Sequence, residues 1–331
     1  MNMLEEPLVS VVTPVYNGGN FLAECIESVL GQTYRNFEYI IVNNCSEDRS
    51  LEIAQGYAKK DPRIQVHSNK SFVGVIENHN NAFRLISAKS KYCKVVSADD
   101  WLFPECITRL VGLAETNPSV GLVGSYQLSG AGPDGRRWQV KWDEIPYPST
   151  VVSGREVCRS HFLGGPYIFG TPSSLLYRAD LIRSEAAFYP NSTAEADTSA
   201  CYKSLRNADF GFVHQVLSYE RVHEVRQTTT SKFLNAYLSS MISDLLTYGP
   251  AYMTGAEIDK RLEKLLDEYY TFLAASYARL RNKEFWRYHK ARLKELGHPL
   301  DVLKLSRALL ARLPNLLLNP KNTIELYMKR L

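Results

Sequence analysis

Hydrophobic positions in the first hundred residues follow two alternating rules. Leu8 to Val15 and Phe37 to Val42 are nearly unbroken apolar runs rich in β-branched residues, the pattern of strands covered on both faces. Between them Phe21, Leu22, Cys25, Ile26, Val29 and Leu30 recur at one-face helical spacing and stop near Gly31. Strand, helix, strand predicts a right-handed βαβ unit. Leu51, Ala54, Tyr57 and Ala58 mark a second amphipathic helix, closed by Asp61-Pro62. Ile64 to His67 is a short third strand, and Val75, Ile76, His79, Phe83 and Ile86 space a third helix before a fourth strand, Tyr92 to Val96.

Three of these strands end in polar turns: Pro14-Val15-Tyr16-Asn17-Gly18-Gly19 after the first, Asn43-Asn44-Cys45-Ser46-Glu47-Asp48 after the second and Ser97-Ala98-Asp99-Asp100 after the fourth. In a parallel sheet such turns share one rim, where open α/β sheets bind ligands. Tyr16 suits stacking on a flat base, and Asn43, Asn44 and Asp48 suit hydrogen bonds to its edge or to a ribose. Asp99 and Asp100 suit a divalent cation, which usually completes its shell with water and phosphate oxygens, so the pair points to a diphosphate. Each has a plainer reading: Tyr16 as packing, Asn43-Asn44 as an Asx turn, Ser46 or Asp48 as a cap for the second helix, Asp100 as a cap for the helix entered at Pro104.

Downstream, Ile107 to Ala114 predicts a helix, Val120 to Val123 a strand, 129–135 a loop and Trp138 to Trp142 a further strand. Asp143 to Ser153, with Pro146 and Pro148, reads as an extended, polar and mobile flap. Strand Ser174 to Tyr177, a helix Ala200 to Leu205 and a last strand Phe212 to Ser218 follow. From about Phe233 the pattern turns helical, with a stripe running from Leu262 through Tyr269 to Leu280. The expected division is therefore a nucleotide-binding and catalytic domain over 1–231 and a helical region over 232–331. Its basic amphipathic end, Val302 to Leu313, is expected to break at Pro314.

Composition sharpens two points. The net charge of +4 is uneven: residues 281–331 hold twelve Lys/Arg against four Asp/Glu, a local +8, which leaves −4 for the first 280. Basicity belongs to the end of the chain, so the main domain is not expected to bind nucleic acid. A basic amphipathic helix there suits either an anionic membrane surface or a homodimer contact. The six cysteines include no C-x-x-C pair, and neither a leader-like N-terminus nor 18 consecutive apolar residues occur. These features suggest a cytoplasmic protein, peripheral at the inner face of the cell membrane if its basic end docks there.

Val11-Val12-Thr13-Pro14-Val15-Tyr16-Asn17, the Val42-to-Ser50 turn and Ser97-Ala98-Asp99-Asp100 together resemble, in order and spacing, the three signatures of the family 2 glycosyltransferases. The similarity runs from about residue 8 to 225. It implies a GT-A fold: α/β, Rossmann-like, with a mostly parallel central sheet flanked by helices, here followed by the helical extension. It also implies binding of a nucleotide diphosphate sugar by Pro14, Tyr16, Asn43, Asn44, Asp48, Ala98 and Asp99, with Mn²⁺ or Mg²⁺ held by Asp99, Asp100 and His223. Arg221 would reach the diphosphate. Ala194-Glu195-Ala196-Asp197 resembles the stretch that carries the family's catalytic base, which would be Asp197, with Glu195 the competitor. The chain departs from the pattern at Asn43-Asn44, where two acids are common, and at Ser97, where the third signature usually begins with Asp.

The expected activity is inverting transfer of a sugar to a hydroxyl of a glycan or lipid-linked acceptor in cell-surface polysaccharide synthesis. Two alternatives stand beside it. A sugar nucleotidyltransferase shares the setting, but would carry a basic Gly-rich loop after the first strand, which Tyr16-Asn17-Gly18-Gly19 is not. A degenerate nucleotide-sugar-binding protein would account for Ser97, Asn43 and Asn44.

Overall fold

A computed structural model describes residues 6–130, 138–190, 195–222, 236–278 and 283–318. The chain divides into two compact units, Met1–Arg226 and Gln227–Leu331.

In the first unit, β1 (Val9–Val15) is buried along its whole length, as its unbroken apolar run requires. It pairs in parallel with β2 (Phe37–Asn43) on one side and β4 (Tyr92–Val95) on the other. At the sheet edge, β3 (Ile64–Ser68) is more open and pairs in parallel with β2. Between these strands run α1 (Leu22–Leu30), α2 (Ser50–Ala58) and α3 (Val75–Phe83). Burial of Leu22, Cys25, Ile26 and Val29 on the sheet face of α1 follows the spacing that predicts the helix.

Beyond β4 short reversed strands are interleaved with long ones that keep its direction. Two residues, Trp101–Leu102, make β5, followed by α4 (Cys106–Thr116), β6 (Val120–Gly130), β7 (Gln139–Lys141), β8 (Val151–Val152) and α5 (Gly154–Phe162). A 3₁₀ turn, Pro172–Ser174, leads into β9 (Leu176–Arg178), then α6 (Ala179–Arg183), α7 (Ala196–Ser204) and β10 (Asp209–Arg221). The sheet runs β3-β2-β1-β4-β9-β6-β10-β5, with β7 beside β6 and β8 beside β10. β9 is antiparallel to both β4 and β6, while β6 and β10 are parallel. The expected mostly parallel sheet flanked by helices is present.

Three local expectations change. The strand expected over Val120 to Val123 continues to Gly130, through the start of the loop placed at 129–135, most of which lies outside the described residues. The segment 143–153 is fastened rather than loose. Ile145 is buried, Phe212 N–H donates to Thr150 O, and His214 Nε2 donates to Ser149 O at 2.7 Å. A register shift in β10 between Val213 and Val216 turns His214 out of the ladder to make that contact and one to the Tyr126 hydroxyl.

The second unit contains α8 (Ala236–Tyr248), α9 (Gly255–Ala278), α10 (Lys283–Glu295) and α11 (Val302–Leu318). The helix does not stop before Pro314 as expected. A proline removes one N–H and crowds one carbonyl, which can bend a helix without ending it. No helix among the described residues is long and apolar enough to cross a membrane.

Candidate active site

The rim at the carboxyl ends of β2, β1 and β4 is assembled by hydrogen bonds between turns. Asn44 N–H donates to Val15 O at 2.8 Å, Gly18 N–H to Ser50 Oγ at 2.9 Å and Gly19 N–H to Asp48 Oδ2 at 2.8 Å. Asn17, at φ 49°, accepts from Glu47 N–H while its own N–H donates to Ser46 Oγ. A side chain at Gly18 would place Cβ 2.9 Å from Val15 Cγ2 and 3.3 Å from Ala98 Cβ. The close approach that only glycine permits therefore brings the first turn against the third.

Tyr16 stands on this rim 40% exposed, and beside it is Phe72, 57% exposed, with ring centroids 4.8 Å apart. Sequence reasoning misses Phe72; its only signal is one aromatic residue in the polar stretch Ser68-Asn69-Lys70-Ser71-Phe72-Val73. Asn44 holds this loop in place. Its Nδ2 donates to Val73 O at 2.8 Å and its Oδ1 accepts from Val73 N–H at 3.0 Å and from Asn69 Nδ2 at 2.9 Å. An amide matches the N–H and C=O of a single residue, here Val73; a carboxylate could serve only the N–H. Asn80 repeats the arrangement with Tyr189, at 2.8 and 2.9 Å. The sequence suits Asn44 to a base edge; in the structure it is buried and committed to the loop.

Asn43 is also buried, accepting from Ser46 N–H at 3.2 Å in an Asx turn. Asp48 braces the two turns, accepting from Ser50 N–H at 2.9 Å as well as from Gly19. Its partial burial opposes ionisation, yet hydrogen bonds from Ser50 and Gly19 hold its carboxyl below the ordinary range.

The two acids of the third turn have different surroundings. Asp100 is buried; Oδ2 accepts from Ser173 Oγ at 2.6 Å and Oδ1 from Arg221 N–H at 3.1 Å. Asp99 is partly exposed, and its carbonyl accepts from Arg221 Nε at 3.2 Å. The Arg221 side chain, expected at the diphosphate, is buried. It pairs with Glu24 and lies over the rings of Phe21 and Trp101, at 4.5 and 5.1 Å from their centroids. Trp101 in turn stacks on Tyr219 at 3.7 Å. This packing explains why so short a strand as β5 forms. His223, the other expected metal ligand, lies outside the described residues.

Ser173 links the acidic turn to the far side of the site. Its hydroxyl also accepts from Ser97 N–H at 3.0 Å. The preceding loop is held by Tyr167, whose hydroxyl donates to Gly170 O at 2.9 Å and meets Thr198 Oγ1 at 2.9 Å in the first turn of α7. That turn carries Glu195 at the N-cap and Asp197 within the helix, both partly buried. Burial raises both carboxyls above the usual range, and the neighbouring Asp197 charge helps take Glu195 to about 7.

Lys94 is a further residue that sequence reasoning misses. Fully buried in β4, it donates through Nζ to Val95 O, Ser173 O and Leu175 O at 3.2, 2.5 and 3.0 Å. A lone cation inside an apolar strand is its signal.

A hard cation at this rim would find one partly exposed carboxylate, Asp99, at the end of β4. Among the described residues no group of three or more His, Cys, Asp or Glu side chains is arranged as a metal cage. That donor set fits Mg²⁺ or Mn²⁺ bound largely through substrate phosphates and water.

A mostly parallel sheet with its polar turns gathered at the β2-β1-β4 rim, and helices following, is the architecture of the GT-A glycosyltransferases. S. aureus TarS 1–349, solved with UDP-GlcNAc, superposes with a TM-score of 0.63 at 18% identity over 96% of this chain and 89% of that one. The mannosyltransferase PcManGT from Pyrobaculum calidifontis, solved with GDP-Man and Mn²⁺, gives 0.53 at 15% identity over 95% and 81%. Residues 10–183 match the model of glycosyl transferase family 2, and the chain belongs to that family. An uncharacterized glycosyltransferase of Haemophilus influenzae is 37% identical over 120 residues, 36% of each chain. This chain matches about a third of the length of such curated relatives.

Proposed function

We propose that this chain is an inverting glycosyltransferase that moves a sugar from a nucleotide diphosphate donor to a hydroxyl of a glycan or lipid-linked acceptor, in cell-surface polysaccharide synthesis at the cytoplasmic face of the membrane. The observation that carries this is the Asp100–Ser173 bond, which joins the acidic turn after β4 to the loop that Tyr167 fastens to the Glu195–Asp197 turn. Donor and acceptor chemistry need those two carboxylate groups in one site. Support also comes from family membership and from the nucleotide sugars bound by TarS and PcManGT.

In this reading Tyr16 and Phe72 receive the base, and Asp99 faces the diphosphate. Asp99 would hold Mn²⁺ or Mg²⁺, which would supply positive charge to offset that of the departing diphosphate. Asp100 and Arg221 position Asp99 rather than touch substrate. Asp197 takes the proton of the acceptor hydroxyl as its oxygen attacks the anomeric carbon opposite the leaving group, so the centre inverts in one displacement. Glu195 sets the charge beside it.

The nucleotidyltransferase alternative is weakened by the first turn. The N–H groups of Gly18 and Gly19 donate to Ser50 and Asp48 and are not arrayed for a triphosphate. A degenerate binder is separated by turnover. Transfer or hydrolysis of UDP-, GDP-, dTDP- and CDP-sugars with Mn²⁺ is expected from the native chain and lost in Asp99→Ala and Asp197→Ala. Undiminished turnover in both variants would reject the assignment.

A further inference from the structure

Helix α10 carries Lys283, Arg287, Lys290 and Lys294 at positions i, i+4, i+7 and i+11, all exposed. At 100° per residue these four fall within about 60° of one another, a straight cationic ridge roughly 16 Å long. The opposite face is packed. Phe285, His289 and Leu293 are buried, and His289 Nδ1 bonds the Tyr269 hydroxyl of α9 at 2.6 Å. The acids Glu284 and Glu295 lie a quarter to a third of a turn from the ridge by the same spacing, and Glu295 is paired with Arg292 at 2.8 Å.

The next helix adds a different feature. In α11, Val302, Leu303 and Leu310 are 68%, 71% and 63% exposed, with exposed Arg307 one turn after Leu303. Charge alone would suit any polyanion. Exposed Val302, Leu303 and Leu310 beside that charge suit a partner with an apolar phase beneath an anionic surface better than a soluble polyanion.

We infer that the unit Gln227–Leu331 docks on an anionic lipid surface, with the α10 ridge drawn to the headgroups and Val302, Leu303 and Leu310 entering the acyl boundary. This gives a surface to the membrane location proposed above and is independent of the transfer chemistry, because the surface needs neither donor nor turnover to bind.

The test is flotation of the full chain with vesicles of phosphatidylcholine alone, or with roughly one third phosphatidylglycerol. Binding is expected to the anionic vesicles only, falling steeply as salt rises from about 0.1 to 0.5 M. Lys290→Glu with Lys294→Glu should lower the partition coefficient by at least about thirtyfold. Leu303→Ser with Leu310→Ser should lower it several-fold while leaving the thermal midpoint and the mass in solution unchanged. Three results would overturn the inference. One is no binding at low salt. Another is vesicle binding indifferent to the leucine change and fully competed by inorganic polyphosphate, which marks a soluble polyanion as partner. The last is a dimer that the leucine change dissociates, which assigns the face to a second copy of the chain.

Discussion

Ser173 Oγ donates to Asp100 Oδ2 at 2.6 Å across 73 residues of sequence. Both groups are buried, so the bond is protected from water and fixes the acidic turn after β4 against the loop before β9. Lys94 completes the arrangement by holding the carbonyls of Ser173 and Leu175, the residues on either side of Ser174.

Ser173→Ala removes the hydroxyl donor to a buried carboxylate and the acceptor for Ser97 N–H. A loss of about 1–3 kcal/mol is expected, read as a lower denaturation midpoint at unchanged m-value. Turnover measured well below the midpoint should fall as well, with more Mn²⁺ needed for half-maximal rate, because Asp100 no longer holds Asp99 in place.

Asp99 and Asp100 should separate cleanly. Asp99→Asn, at a partly exposed position, is expected to leave the thermal midpoint nearly unchanged and to reduce metal-dependent transfer at least a hundredfold. Asp100→Ala leaves Ser173 Oγ and Arg221 N–H without their acceptor. It should cost about 2–4 kcal/mol in denaturation.

The limits of the sequence are physical. β1 and β2 were legible because burial on both faces forces a continuous apolar run, and the three polar turns because a strand covered on both faces has no packing reason to end in Asn or Asp. β5 was not legible: two residues carry no period, and Trp101 is held by Tyr219, 118 positions away. The tasks of Asn44 and Arg221 were also hidden. Residue type shows that an amide or guanidinium can bind a ligand, but not that Val73 or Glu24 already occupies it.

Phe72 and Asn44 give a test of donor binding that leaves the chemistry alone. Phe72→Ala removes one exposed ring beside Tyr16. The donor KM should rise roughly fivefold, the worth of about 1 kcal/mol of aromatic contact, with kcat little changed. Asn44→Asp, although closer to the common signature, sets a carboxylate against Val73 O and should raise the donor KM through the loosened loop.

Glu195 and Asp197 predict the pH profile. Both carboxyls stand above their ordinary values because burial disfavours the charged form, and Glu195 reaches about 7 with the Asp197 charge beside it. Proton abstraction from the acceptor needs a carboxylate, so kcat/KM should rise with pH along a limb near 7 that belongs to the pair. Stability runs the other way. A carboxyl whose folded pKa is raised binds its proton more tightly in the native state, so the Glu195 contribution is full below the unfolded value of about 4.5 and is lost as pH climbs through about 7. Glu195→Gln should remove the limb near 7, keep measurable transfer at lower pH and flatten the stability loss between about 4.5 and 7. Asp197→Asn should abolish transfer across the whole range, by about 10²–10⁴-fold. A limb near 7 that survives Glu195→Gln unchanged would remove Glu195 from the titrating pair.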